Sequence, residues 1–138
     1  MDVSIGAHRL CLERDIGLLQ CNGDISEEEM RHILLSYQTI QDRAGRFGTL
    51  IDARKMGRIS TGARKAVGEW QSSAGNFGTA VFGASLVVRT LVTLLVRARE
   101  LLERIDLSLE FFKTEAEARI WLDARRAKKV PAGQGLIK

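Results

Sequence analysis

Residues 16–45 read IGLLQCNGDISEEEMRHILLSYQTIQDRAG, which places a short apolar run directly before an amphipathic pattern. The run at 16–22 is typical of a buried strand, and Asn22-Gly23-Asp24 is expected to end it. Ser26 and Glu29 then have the spacing of a capping box, which predicts the start of a helix. Apolar residues follow at helical spacing: Met30, Ile33, Leu34, Tyr37 and Ile40. The stretch therefore predicts one strand followed by one helix that ends near Gly45.

The same alternation continues on both sides of this unit. Upstream, residues 8–13 are expected to form a β-hairpin with 16–22. Downstream, the pattern predicts strands at 47–53, 79–83 and 107–112, helices that begin near Ser60, Ser85 and Thr114, and a basic loop at 54–59. The order ββαβαβαβα predicts a single α/β domain with a mainly parallel central sheet, an antiparallel edge hairpin strand and helices packed on the sheet. This domain would cover 1–125, and the basic, then Gly- and Pro-containing residues 126–138 would form a flexible tail.

Composition and charge limit the classes of function. The 138 residues are enough for one domain with its own hydrophobic core. The net charge of +4 makes the chain mildly basic, but aromatic residues are only 6 % and acidic residues are interleaved with basic ones, which argues against nucleic-acid binding.

Met1–Leu10 has no secretory signal pattern, and the most apolar stretch, Leu86–Val96, is too short to span a bilayer. We therefore expect a cytoplasmic protein with no integral membrane segment.

Residues that could support catalysis or hold a metal are few. His8 and His32 are the only histidines, and no Cys or His spacing resembles a zinc site. Cys11 and Cys21 are not expected to form a disulfide, because the register of the hairpin puts the two thiols on opposite faces of the sheet. Asp52 ends a predicted parallel strand, where α/β folds often bind ligands, although an aspartate at such a place also caps loops. We expect no catalytic residue, no metal and no cofactor.

The predicted third helix, 86–104, carries more apolar side chains than one sheet face needs. Its polar residues form only a narrow stripe: Arg89, Thr93, Arg97, Glu100 and Arg104. A helix on a sheet needs an apolar arc of only about 100° or somewhat more, so another surface must cover the excess. Three covers remain open, namely neighbouring helices, a homodimer interface, and an apolar or lipid-like ligand. The candidate interface or ligand-facing residues are Leu91, Leu94, Leu95 and Leu102.

A second candidate site lies where the second helix begins. Ser60 or Thr61 is placed to cap this helix by accepting main-chain hydrogen bonds. The same position would stabilise a phosphate, and Arg58 and Arg64 would strengthen such an anion site. The residues themselves leave both roles open, the helix cap and the phosphosite or anion site.

The order of elements and three motifs within residues 8–125 resemble the STAS-like superfamily, in particular the SpoIIAA-like (STAS/SEC14) proteins of bacteria. The motifs are the strand–Gly–acid–helix opening at 18–26, the strand at 49–53 leading to Ser60-Thr61-Gly62, and the strand at 109–112 followed by the helix start at 114–122. The resemblance implies a regulatory or ligand-binding module and no catalysis. It also implies that a partner kinase phosphorylates a serine or threonine at the start of the second helix, although Arg58-Ile59 stands where the family carries an acidic residue.

Together, these features favour a non-catalytic regulatory or protein-interaction module. It would form a homodimer through the third helix and be switched by phosphorylation near Ser60 or Thr61. Its partner would be another protein, such as a kinase or an anti-sigma-like factor. The alternative is a carrier or sensor of an apolar or lipid-like small ligand.

Overall fold

Strands and helices alternate along the chain in a computed structural model that describes residues 1–70, 75–103 and 108–128. The strands are β1 (Asp2–Ile5), β2 (His8–Glu13), β3 (Ile16–Ile25), β4 (Phe47–Ile59), β5 (Asn76–Phe82) and β6 (Leu109–Phe112). The helices are α1 (Glu27–Ala44), α2 (Thr61–Glu69), α3 (Leu86–Glu103) and α4 (Glu115–Ala127).

Within these residues, the strands form one six-stranded sheet in the order β1-β2-β3-β4-β5-β6. The pairs β1–β2 and β2–β3 are antiparallel, whereas β3–β4, β4–β5 and β5–β6 are parallel. Parallel neighbours need crossover connections, which the helices supply. The predicted fold class, an α/β domain with a mainly parallel sheet and an antiparallel edge, is confirmed.

Helices cover both faces of the sheet. On one face, buried residues of α1 and α2 share a core with β2 and β3, and α3 adds Leu91 and Val92 at the margin of this core. On the other face, α4 contributes Ala118 and Leu122 to a second core. The sheet is therefore enclosed by α1, α2 and α3 on one side and by α4 on the other.

Two predicted breaks in the sheet are wrong. Asn22-Gly23-Asp24 does not end β3, and residues 54–59 do not form a basic loop, because β3 and β4 both continue and pair with each other. Gly23 lies opposite Met56 and Ile25 opposite Ile59, across register shifts typical of β-bulges. These pairs bring together segments more than thirty residues apart. Local composition favours loops at both places, and only the pairing of the two segments makes them strands.

The first strand, β1, was also not predicted. It pairs with β2 in the register Val3–Leu10 and Ile5–His8, and it extends the antiparallel edge of the sheet by one strand. Ile5 is 2 % exposed, so β1 contributes to the core. A four-residue strand with two apolar side chains gives too short an alternation to be distinguished from a loop.

The predicted helix starts and stops are confirmed where they were most specific. Capping boxes are present at both Ser26–Glu29 and Thr114–Glu117. The amide of Val88 donates to Ser85 Oγ at 3.2 Å, as expected for the cap of α3. Ala44 is the last residue of α1, and the following Gly45 has φ of 74°, a conformation that glycine adopts without steric cost.

The cysteines agree with a further expectation. Cys11 lies opposite Leu18 in the β2–β3 ladder, and both thiols are free. Cys21 is fully buried, and burial raises the pKa of its thiol to about 12. Among the described residues, no helix is both long enough and apolar enough to cross a membrane.

Candidate functional site

The two hydroxyls at the start of α2 have different partners. Ser60 has extended backbone angles, and its Oγ accepts a hydrogen bond from the amide of Ala63 at 3.0 Å, so Ser60 is the helix cap. The neighbouring Thr61 is exposed, and its Oγ1 accepts from the guanidinium of Arg64 at 3.0 Å. Of the pair, Thr61 therefore has the hydroxyl that is not needed to hold the helix.

Cations surround this helix start, but an acidic side chain is present as well. The exposed side chains of Lys55, Arg58 and Lys65 form no ion pair with any described carboxylate. Glu27 of α1 packs so closely on Gly62 that a Cβ at position 62 would clash with its carboxylate. Because a carboxylate is favourable near a helix N-terminus, Glu27 already compensates part of the positive end of α2.

Asp52 is held by its neighbour Arg54. Its carboxylate accepts from the Arg54 amide at 3.1 Å, from Nε at 3.0 Å and from Nη2 at 2.7 Å. These hydrogen bonds lower the pKa of the Asp52 carboxyl below its ordinary value, against an opposing effect of burial. Arg54 also lies over the ring of Phe82. Asp52 is thus an ionised group whose oxygens already have donors, which suits a structural role.

The two histidines lie in different surroundings. His8 is buried, its Nδ1 accepts from the Asn22 amide at 2.9 Å, and its Nε2 lies 3.0 Å from the carbonyl oxygen of Asp24, to which it donates in the matching tautomer. His32 is exposed on α1. No group of three or more His, Cys, Asp or Glu side chains in the described ranges could hold a metal ion.

The third helix is only partly covered. Its buried residues are Val88, which is 5 % exposed, and Arg99, which donates from Nη1 to the carbonyl oxygen of Val67 in α2 at 2.9 Å. Among the predicted interface residues, Leu94 and Leu102 are 62 % and 84 % exposed, whereas Leu91 and Leu95 are half-buried. Further large apolar side chains are exposed on the same helix: Leu86, Val87 and Leu101.

Five apolar residues of α3 lie along one side of the helix at intervals of four, three, four and three. They are Val87, Leu91, Leu94, Ala98 and Leu101, which we name the α3 stripe. Such spacing keeps side chains in a single seam that another helix can pack against. The sequence prediction named only Leu91 and Leu94 of this set, although the alternating intervals were visible in the sequence and would have identified Val87, Ala98 and Leu101.

The candidate site residues fall into two surfaces. Arg58, Ser60, Thr61 and Arg64 all lie at the end of β4 and the start of α2. The predicted interface leucines lie on α3, which contacts α2 on the same face of the sheet.

Comparison with solved structures identifies the fold. The anti-sigma factor antagonist SpoIIAA in its unphosphorylated form is 15 % identical, with a TM-score of 0.57 over 88 % of this chain and 100 % of that one. A DUF3478-family protein with a SpoIIAA-like fold from Shewanella loihica PV-4 is 15 % identical, with a TM-score of 0.60 over 84 % of this chain and 92 % of that one. The phosphorylated form of SpoIIAA, a Bacillus cell fate determinant, is 15 % identical, with a TM-score of 0.55 over 84 % of this chain and 99 % of that one.

The chain therefore has a SpoIIAA-like fold, as the resemblance implied. No protein-family model matches the sequence. No curated protein matches it either.

Proposed function

We propose that this protein is a cytoplasmic, non-catalytic regulatory module that acts by binding another protein and that forms a homodimer through α3. The observation that carries this proposal is the exposure of the α3 stripe. Soluble monomers rarely expose contiguous apolar patches larger than a few hundred Å², and a larger patch usually marks an interaction surface. The SpoIIAA-like fold supports a regulatory role, because SpoIIAA is an anti-sigma factor antagonist.

A second copy of the chain suits the α3 stripe for a geometric reason. A two-fold axis pairs one surface with itself, so a symmetric dimer requires a self-complementary patch. Leu94 is the middle residue of the stripe, and Val87 and Leu101 lie at its two ends. A two-fold axis perpendicular to α3 and midway between Leu91 and Leu94 would place Leu91 of one copy opposite Leu94 of the other, and Val87 opposite Ala98.

The dimer is tested by sedimentation velocity of three proteins. Leu94→Glu places a charge in the middle of the stripe, and we expect it to give a monomer while the wild type sediments as a dimer. Leu35→Glu is the matched control, since Leu35 is a leucine on α1 that is 64 % exposed, compared with 62 % for Leu94. If both variants behave alike, α3 is not the interface.

We further infer that Thr61 is the phosphorylation site and that a kinase or an anti-sigma-like factor is the partner. SpoIIAA has a phosphorylated form. In this chain, Thr61 is exposed and bonded to Arg64, whereas Ser60 is occupied as the helix cap. A phosphate on Thr61 would gain charge-assisted hydrogen bonds from Arg64 and from Arg58 if that side chain turns towards it.

Phosphorylation is tested by intact-mass measurement and peptide mapping of the protein purified from its native host. We expect a phosphorylated fraction with the group on Thr61. A phosphate on Ser60, or no phosphorylated fraction under any growth condition, would contradict the assignment.

The alternative function, a carrier of an apolar ligand held between α3 and the sheet, has less support because the large apolar side chains of α3 point outwards.

A further inference from the structure

The outer edge of β6 has main-chain groups without a strand beside them in the described part of the chain. Ser108 and Phe112 accept hydrogen bonds from β5 through their carbonyl oxygens, from Thr79 at 2.9 Å and from Gly83 at 3.1 Å. Main-chain groups alternate in direction along a strand, so the N–H and C=O of Leu109 and Phe111 point away from β5. These four groups are those that a further strand would bind.

A groove of about 430 Å³ runs along this free edge. Its walls come from both faces of the sheet, with Thr93, Val96 and Arg97 of α3 on one side and Trp121 and Arg125 of α4 on the other, while β6 forms its floor. The groove thus lies where a seventh strand of the sheet would lie.

The walls of the groove combine apolar surface with charges of both signs, because Glu100 and Glu110 line it as well as Arg97 and Arg125. Val96 and Phe111 on the α3 side and Trp121 on the α4 side would contact the alternate side chains of an added strand. Each wall also has a guanidinium, Arg97 and Arg125. Arg97 forms no ion pair with a described carboxylate, and Arg125 donates to Ser108 Oγ at 2.7 Å at the floor of the groove.

We propose that this groove binds a single extended segment of a partner protein, which adds to the sheet as a seventh strand beside β6. The helices that wall the groove on both faces leave room for one strand but keep the sheet edge of another folded domain at a distance. Main-chain hydrogen bonds to Leu109 and Phe111 would hold the segment, and an acidic side chain flanked by apolar ones would match Arg97. The binding site is separate from the α3 stripe and does not depend on the proposed dimer.

The proposal is tested with an acetylated and amidated peptide, Thr-Val-Glu-Val-Thr-Val, titrated into the full chain and followed by amide NMR and hydrogen exchange. We expect the largest shifts and new exchange protection at Leu109 and Phe111. Phe111→Pro removes the outward N–H without removing a hydrogen bond to β5, and we expect it to weaken binding about tenfold or more. Phe111→Leu is its control, because it also removes the aromatic ring but keeps the N–H, and it should bind close to the wild-type affinity.

Four results would overturn the proposal. The first is that the peptide does not bind, and the second is that Phe111→Pro and Phe111→Leu bind it with equal affinity. The third is that the NMR shifts are centred on the α3 stripe or on β1. The fourth is that the amides of Leu109 and Phe111 are protected from exchange before the peptide is added and lose this protection when 129–138 is deleted. The last result would show that the chain's own C-terminal segment fills the groove. Leu94→Glu should leave peptide binding unchanged. The proposed dimer and the proposed binding groove can therefore be contradicted independently.

Discussion

Ser60 and Thr61 are adjacent hydroxyl residues whose removal should have different effects. Ser60 Oγ accepts the Ala63 amide, so Ser60→Ala leaves that amide without its partner and should lower the free energy of unfolding by about 1 kcal/mol. Thr61→Ala removes only an exposed contact with Arg64 and should change it by less than about 0.5 kcal/mol. Urea denaturation measures both. A Thr61→Ala variant as unstable as Ser60→Ala would mean that Thr61 is also part of the cap.

Asp52 should make stability depend on pH in the acid range. Its folded-state pKa is lowered mainly by hydrogen bonds from Arg54, so it lies below the pKa in the unfolded chain. The resulting stabilisation is fully present above the unfolded pKa of about 3.9 and is lost as the pH falls through the folded pKa. Asp52→Asn should therefore be less stable than the wild type at neutral pH and should approach it in acid. Urea midpoints across this pH range provide the measurement, and parallel pH profiles of the two proteins would exclude the interaction.

At the scale of elements, the position of the residues at the start of α2 depends on the paired ends of β3 and β4. Gly57 lies so close to the main chain of Gly23 and Asp24 that a Cβ would come within 2.9 Å of Asp24 N. The Asp24 carboxylate in turn accepts the Arg58 amide at 2.8 Å. This close approach fixes the position from which Ser60 begins α2.

Substitution of two glycines tests this close approach. Gly57→Ala should destabilise the protein by about 1–3 kcal/mol, because the strands must move apart to accept the methyl group. Gly68→Ala is the control, since Gly68 lies in α2 with no atom within 4 Å of the added Cβ and should be neutral or stabilising by up to about 1 kcal/mol. Thermal unfolding compares the two. Equal stability of Gly57→Ala and the wild type would show that the strand ends are more loosely paired than described.

The third helix shows which part of an element can be predicted from sequence. Its bounds and its excess of apolar side chains follow from the residue pattern alone. The side that faces the protein does not, because the inward residues of α3 include the buried Arg99 as well as Val88, Leu91 and Val92, and an arginine is an unusual inward residue. The hydrogen bond from Arg99 to the carbonyl oxygen of Val67 contributes to that orientation. It turns Leu94 and Leu101 to the surface.

For the whole molecule, the fold could be predicted further than the site. The alternating strand and helix patterns and the two capping boxes were sufficient to predict the order of the elements and the fold class, because each of these patterns lies within a short stretch of sequence. The pairing of residues 23–25 with residues 56–59 could not be read from either segment. Ser60 and Thr61 lie at the start of α2, as predicted, but which of the two hydroxyls caps the helix could be determined only from the hydrogen bonds of the folded chain.

The two proposed interaction surfaces occupy different sides of the same helix. In the α3 stripe, all residues except the half-buried Leu91 are exposed, whereas Thr93, Val96 and Arg97 form one wall of the groove beside β6. A dimer through the stripe would therefore leave both grooves open. This arrangement would let one molecule hold a second copy and two extended partner segments at once.

Equilibrium sedimentation of the unmodified protein, from low to high micromolar concentration, tests the central claim that a second copy covers the α3 stripe. We expect a molar mass that rises towards twice the 15.3 kDa of one chain as the concentration increases. A mass that stays at 15.3 kDa over the whole range would contradict the claim.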